Sequence, residues 1–169
     1  MKDIRLIIYN VRSVYNVGAM FRTADAAGLA RAGTAEGVSK IYLTGYTPAP
    51  LDRFGKKRKD FAKSALGAEE SVSWKIKKSL PALISKLKRE KFFIIAIEQD
   101  RRSIDYKKVP RWLAGKNKVA LIAGNEVNGL PKNILDKCDL IAEIPMCGGK
   151  ESLNVSVAFG IALFRILNI

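Results

Sequence analysis

"KVALIAGNEVNGL", residues 118–130, decides the fold class and points toward a site. After Lys118 the run is unbroken apolar sequence up to Gly124, with no alternation of polar and apolar positions. A strand with one wet face alternates. An unbroken run is the pattern of a strand covered on both faces, as in a parallel sheet flanked by helices. "FFIIAIE" (92–98) has the same character, and "IRLIIYNV" (4–11), "KIYLTG" (40–45), "SVSWKI" (71–76) and "LIAEIPM" (140–146) read as further strands. Helical segments fall between them. "GAMFRTADAAG" (18–28) is Ala-rich and closes on Gly28. "SLPALISKLKREK" (79–91) has Ser79 as a cap, Pro81 in its first turn, and Leu80, Leu83, Ile84 and Leu87 at helical spacing. "PKNILDKCD" (131–139) and residues 152–167 complete the set. This alternation predicts an α/β fold, a mostly parallel sheet flanked by helices, in a single domain over 1–169.

Charge bounds the partner. Thirty Lys and Arg stand against sixteen Asp and Glu, a net +14 and a pI near 9.9. The basic residues cluster at Arg53–Lys63, Lys75–Lys91 and Arg101–Lys118. A solvated face is the ordinary fate of one such run, whereas three in one small domain favour a surface that tracks phosphates. Nucleic acid is favoured over membrane, because no lipidation signal or Trp/Phe-rich basic amphipathic helix is evident. The start "MKDIRLIIYN" lacks a signal-peptide layout and the apolar runs are too short or interrupted to span a bilayer, so a cytoplasmic protein is expected. Cys138 and Cys147 have no CxxC spacing and are expected to stay reduced, Cys147 as inert packing. The chain has no histidine. That excludes a His general base, Ser–His and Cys–His pairs and His-ligated metal; no metal is expected.

The loops that follow the apolar runs carry the chemistry. "GNEVNGL" (124–130) follows one strand and "PMCGGKESLN" (145–154) follows another, where open α/β sheets place ligands. Neither is a nucleotide-phosphate fingerprint: "MCGGKES" lacks the first glycine of a P-loop, and no GxGxxG follows the first strand. Glu126 reads either as a turn carboxylate holding backbone N–H groups or as a functional acid. "ESLNVSVAFG" (151–160) sets polar residues against an apolar helix. Ser152 reads as the helix cap, and Asn154, placed past that cap, is poor helix stock and favours a site. The final helix is apolar nearly all round, which requires a second covering surface.

Three segments, "NVRSVYNVGAMFRTADAAG" (10–28), "LIAGNEVNGL" (121–130) and "IPMCGGKESLNVSVAFGIAL" (144–163), resemble the three ordered motifs of the SPOUT superfamily, in its SpoU/TrmH-type branch of RNA 2′-O-ribose methyltransferases. "SALGAEESVSW" (64–74) is similar to small members of that branch. The resemblance implies an α/β trefoil knot, a homodimer and S-adenosylmethionine as cofactor. It implies a catalytic set of Asn16, Arg22, Glu126, Ser152 and Asn154, with Arg22 the catalytic arginine of the first motif. It implies cofactor contacts from Gly124, Ile144, Met146, Leu153 and Glu98. Arg12, Lys56, Lys57, Arg58 and Lys59 are the candidate RNA-binding residues. "ARAGTAEGVS" (30–39) departs from the branch by lengthening the step into the next strand, and no appended RNA-binding domain is evident. Transfer RNA is expected over ribosomal RNA, because a minimal domain must recognise a compact target by its own surface. Methyl transfer by direct displacement needs positioning rather than histidine or metal. Arg22 is open to two roles, a base assisted by a substrate phosphate or a cation that binds phosphate and steadies the developing alkoxide. Without the motif, Arg22 reads as the i+3 ion-pair partner of Asp25. The alternatives are a base-modifying SPOUT enzyme, against which "SLNVS" stands, and an RNA-binding protein on a dead scaffold, against which the intact polar set stands.

Overall fold

The computed structural model describes residues 3–28 and 37–168. Most of the insertion at 30–39 lies outside them. In chain order the elements are β1 (Asp3–Tyr9), α1 (Val14–Ala26), β2 (Gly37–Thr44), α2 (Lys59–Ala65), α3 (Ala68–Ser71), β3 (Trp74–Lys77), α4 (Leu80–Arg89), β4 (Phe93–Ile97), β5 (Ile104–Asp105), a 3₁₀ turn (Tyr106–Lys108), α5 (Val109–Trp112), β6 (Lys118–Ala123), α6 (Lys132–Leu135), β7 (Leu140–Glu143) and α7 (Val155–Leu167). The strands form one sheet in the order β3-β2-β1-β6-β4-β7-β5. Every pairing in it is parallel, as the unbroken apolar runs require.

The sheet is buried from both sides, and the pleat sorts its residues between two cores. Ile4, Leu6, Ile8, Val119 and Leu121 face one core with α1, α2 and α7. Ile7, Ile94, Ala96, Ala120 and Ile122 face the other, which α4 and α6 cover. α4 buries Leu80, Leu83, Ile84 and Leu87, the four residues its spacing singles out, and Ser79 Oγ caps it by accepting from Ala82 N. β7 ends at Glu143, just ahead of Pro145, whose missing N–H cannot continue a ladder.

Several boundaries differ from the sequence reading, each for a local reason. α1 begins at Val14 rather than 18, because Ser13 Oγ accepts from Asn16 N at 3.2 Å and caps the helix. The last helix begins at Val155 rather than 152. Its cap is Asn154, whose side chain accepts from Ser156 N at 2.9 Å. Asn154 is thus the capping residue and Ser152 is not. The stretch 71–76 is split: 68–71 is a helical turn and the strand starts at Trp74. The short elements α2, β5 and α5 carry too few periodic residues for the sequence to mark. Among the described residues no helix is long and apolar enough to cross a membrane.

α1 carries the first motif and is seated by α2. Gly18 lies against the Phe61 carbonyl and Ser64, an approach that a larger side chain would block. Beside it Phe21 and Phe61 pack edge-to-face with ring centroids 5.2 Å apart, and both rings are fully buried. Phe61→Ala is expected to cost about 3–5 kcal/mol of stability through lost burial and the cavity left behind. Urea unfolding should show a lowered midpoint with an unchanged slope.

Candidate functional site

A cleft of about 280 Å³ opens at the carboxyl ends of β4, β6 and β7, near the small end of the ~300–1,000 Å³ usual for ligand sites. Three loops wall it: the chain after β4 with Glu98 and Gln99, the turn after β6 with Gly124 to Gly129, and the long return from β7 with Ile144, Met146, Ser152 and Leu153. Ile97, Ala158 and Phe159 give it an apolar floor. All five candidate cofactor residues, Gly124, Ile144, Met146, Leu153 and Glu98, line it, as do Glu126 and Ser152.

Among the described residues its walls hold four glutamates, Glu98, Glu126, Glu143 and Glu151, and no lysine or arginine. In a chain of net charge +14 this is a local inversion of sign. Glu98 is partly spent on structure: its carboxylate accepts from Leu130 N at 2.7 Å and Gln99 N at 3.0 Å. Gly129 has φ +60, and a Cβ there would run into that carboxylate, so this glycine is required by both conformation and space. Gln99 Nε2 in turn donates to Glu151 O at 2.7 Å and ties the β4 loop to the β7 return.

Beside the cleft the polar residues of three distant segments meet. Asn16 Nδ2 donates to Glu126 Oε1 at 3.2 Å, and Asn154 Nδ2 donates to Asn16 Oδ1 at 3.2 Å. Asn154 Oδ1 meanwhile accepts from Ser156 N and Oγ. One amide therefore caps α7 and joins the site, which reconciles the two sequence readings of this stretch. Arg12 N is 3.5 Å from the other Glu126 oxygen. Ser152 is exposed on the lip of the cleft.

Arg22 stands apart. At about 100° per residue it lies roughly 120° around α1 from Asn16. It is exposed and is not among the residues lining the cleft. Among the described residues it forms no ion pair with Asp25, whose carboxylate accepts instead from Ser71 Oγ at 2.9 Å. Tyr15, about 20° around α1 from Arg22, is exposed, as are Val157 and Phe164 on α7.

Sequence reasoning missed Asn125. It is buried, and its Nδ2 donates to Asn10 O at 2.9 Å and to the Tyr46 hydroxyl. Its Oδ1 accepts from Val127 N and Asn128 N at 2.7 and 2.9 Å. The side chain thus shapes the Glu126 turn and fastens it to the loops after β1 and β2. Its only sequence signal was the habit of Asn in turns. Of the candidate RNA-binding cations, Arg12 lies over the Tyr46 ring at 5.6 Å, and Lys56 and Lys59 are exposed. Lys57 pairs with Glu70 at 2.6 Å and Arg58 with Asp60 at 2.9 Å. The hydrogen bond from Arg58 holds the Asp60 carboxyl below its usual range. No metal-binding cluster occurs among the described residues.

Comparison with known proteins bears on this arrangement. The family described as "SpoU rRNA Methylase family" matches residues 3–164. The chain is 33% identical over 164 residues to the 23S rRNA (guanosine-2'-O-)-methyltransferase RlmB of Ralstonia nicotianae, covering 95% of this chain and 56% of that protein. It is 33% identical over 162 residues to RlmB of Escherichia coli, covering 95% and 58%. It therefore spans little more than half the length of these curated relatives. Among solved structures, the A. aeolicus TrmH/SpoU tRNA modifying enzyme superposes with a TM-score of 0.79 at 26% identity, over 99% of this chain and 75% of that one. The AdoMet-bound rRNA methyltransferase from Sinorhizobium meliloti gives 0.78 at 25% identity, over 99% and 56%.

The two thiols differ sharply. Cys147, in the β7 return, is exposed rather than packed, which corrects the expectation of an inert packing residue. Burial, with Asp139 adding to it, pushes the Cys138 thiol up to about 12. Since the thiolate is the reactive form, iodoacetamide at pH 8 is expected to alkylate Cys147 in the native protein and Cys138 only after unfolding. Peptide mass spectrometry of the two states reads this directly; equal labelling of both in the native state would contradict it.

Proposed function

The chain belongs to the SpoU rRNA methylase family, and on that premise we propose that it transfers a methyl group from S-adenosylmethionine to a ribose 2′-hydroxyl of RNA. The observation that carries the reading is the cleft beside the Asn16–Glu126–Asn154 chain, walled by glutamates and, among the described residues, by no cation, in an otherwise strongly basic protein. Four carboxylates around an apolar floor suit a ligand that is part apolar and bears positive charge, as a sulfonium with an α-amino group does. The polyanion has the basic exterior to bind instead. S-adenosylmethionine, bound there, supplies an electrophilic methyl group.

The residues then have separable tasks. Gly124, Ile144, Met146 and Leu153 would hold the cofactor from the loop backbones. Asn16, Glu126 and Asn154 keep the loop after β6 and the start of α7 in fixed relation to α1, so that the ribose oxygen is aligned behind the methyl carbon. Arg22 would bind the neighbouring phosphate and steady the negative charge that develops on the ribose oxygen, whose proton would pass to that phosphate. Ribosomal RNA replaces transfer RNA as the favoured substrate. The relatives at 33% identity are named for 23S rRNA.

A homodimer accounts for two facts together: the exposed apolar stripe of α7 with Tyr15, and the separation of Arg22 from its own cleft. A second copy docked on this face covers the stripe and brings an arginine to the partner's cleft. Light scattering should give twice the 18.7 kDa chain mass.

The reading is tested with protein-free 23S rRNA and S-adenosylmethionine, followed by nucleoside mass spectrometry. A 2′-O-methylated nucleoside is expected; a methylated base, or no calorimetric binding of S-adenosylmethionine, would overturn it. Arg22→Ala should lose transfer by about a hundredfold or more through a lost transition-state contact while still binding cofactor, and Glu126→Ala should lose about a hundredfold through misplacement of the loop it holds. Mixing the two inactive variants should restore activity in heterodimers, since one site then carries both residues. No recovery, with exchange of subunits verified, would sink the shared site.

A further inference from the structure

The loop between β2 and α2 has a built tip that the site does not use. Asp52 organises it: its carboxylate accepts from Phe54 N at 2.8 Å and from Lys56 N at 2.9 Å. Asp52 N donates to Lys56 O, Gly55 N donates to Asp52 O, and Arg58 N donates to Pro50 O. An antiparallel bridge, Leu51↔Lys57, closes the neck. This much hydrogen bonding holds the tip in one shape, and at that tip Phe54 is 71% exposed. A phenylalanine held outward at this exposure loses burial that it would gain by folding back. The Arg53 guanidinium lies 4.7 Å from its ring centroid, and Lys56 and Lys57 follow after Gly55.

The base of the same loop belongs to the site. Tyr46 accepts from Asn125 through its hydroxyl, its N–H donates to Asn10 Oδ1 at 3.2 Å, and Arg12 covers its ring. Gly45, at φ +66, sits where a Cβ would strike the Asn10 side chain, so the loop leaves β2 in one fixed direction. Tyr46 is itself 51% exposed. One rigid loop therefore carries an exposed ring at the edge of the acid-walled cleft and a second at its tip, both flanked by cations.

We propose that this loop is a base-stacking platform for unpaired RNA, with Phe54 stacking on a base near the modified nucleotide while Arg53 and Lys56 hold the flanking phosphates. The inference rests on the methyltransferase reading above and adds the form of its substrate. In an A-form duplex the bases are stacked on one another and offer no free face. Exposed aromatic rings among cations match single strands, loops and bulges, whose bases lie open.

The test uses an unstructured RNA of about twelve nucleotides with one 2-aminopurine, a length within the usual site sizes of single-strand binders. Wild-type protein should bind it and quench its fluorescence. Phe54→Ala should weaken binding about 5- to 150-fold, the equivalent of one stacked base, and lose the quenching. The slope of log affinity against log salt should stay unchanged, because no phosphate contact is removed. Phe54→Trp should retain both affinity and quenching. Calorimetry with S-adenosylmethionine should be identical for all three proteins, which separates a lost platform from a lost fold. Wild-type affinity shared by Phe54→Ala, equal preference for a duplex of the same length, or Phe54-dependent binding to phosphatidylglycerol vesicles in place of RNA would overturn the proposal. Methyl transfer to 23S rRNA that persists undiminished in Phe54→Ala would overturn the platform and leave the enzymatic reading standing. Absence of transfer in wild type would overturn that reading instead.

Discussion

The parallel pairing of β1 with β6 is the constraint on which the site depends. Its six register pairs, Asp3↔Lys118 through Ile8↔Ala123, fix two segments that are far apart in sequence side by side and in phase. Because both strands end at the same level, Asn10 and Arg12 emerge beside Gly124 and Glu126. The bond from Asn125 to Asn10 O, across 115 residues, and the bond from Asn16 to Glu126, across 110, are consequences of that register. A slip of one residue would turn Ile7 and Ile122 toward the wrong core and Glu126 away from Asn16. The burial of Ile4, Leu6, Ile7 and Ile8 in β1 and of residues 119–123 in β6 resists such a slip. The geometry of the candidate site therefore rests on the apolar packing beneath it.

A second organising feature is the separation of charge. The chain is basic on the outside and acidic in one cleft, and the two regions meet at the loops after β1 and β2. Arg12 lies at that boundary: its backbone N–H faces Glu126 and its guanidinium covers Tyr46. Regions of opposite sign therefore adjoin at the edge of the cleft. Several cations that appear free in the sequence are spoken for, Lys57 by Glu70 and Arg58 by Asp60. Such exposed pairs add little to stability, yet they fix the neck of the loop. They leave Arg53, Lys56 and Lys59 as its more available charges.

Asn154 illustrates how a helix terminus and a site share one residue. Its carbonyl oxygen satisfies the otherwise unpaired N–H of Ser156, and its amide nitrogen reaches Asn16. Capping sets where α7 begins, and the position of that first turn sets where the polar end of the side chain projects. Loss of either bond would disturb the other, because both depend on one rotamer.

By itself the sequence determined the sheet and most of the candidate site. Unbroken apolar runs such as 118–123 can be buried only between two covering layers, and a helix with Leu80, Leu83, Ile84 and Leu87 on one face can only lie against a sheet. Gly, Asn and Pro at strand ends marked the loops, and the three ordered motifs marked Asn16, Glu126 and Asn154. What tertiary structure decided are matters of distance between segments that local pattern does not encode. Ser152 and Asn154 are two residues apart and chemically alike as caps; the choice between them fell to the packing of α7 against α1, where Gly160 meets Thr23. Asn125 reads as one more turn residue until the loops after β1 and β2 fold over it. Arg22 shares a motif with Asn16, yet the helical period turns the two to different sides of α1. Hydrophobic periodicity is a property of neighbours along the chain. A hydrogen bond across 110 residues exists only once the sheet has brought its two ends together.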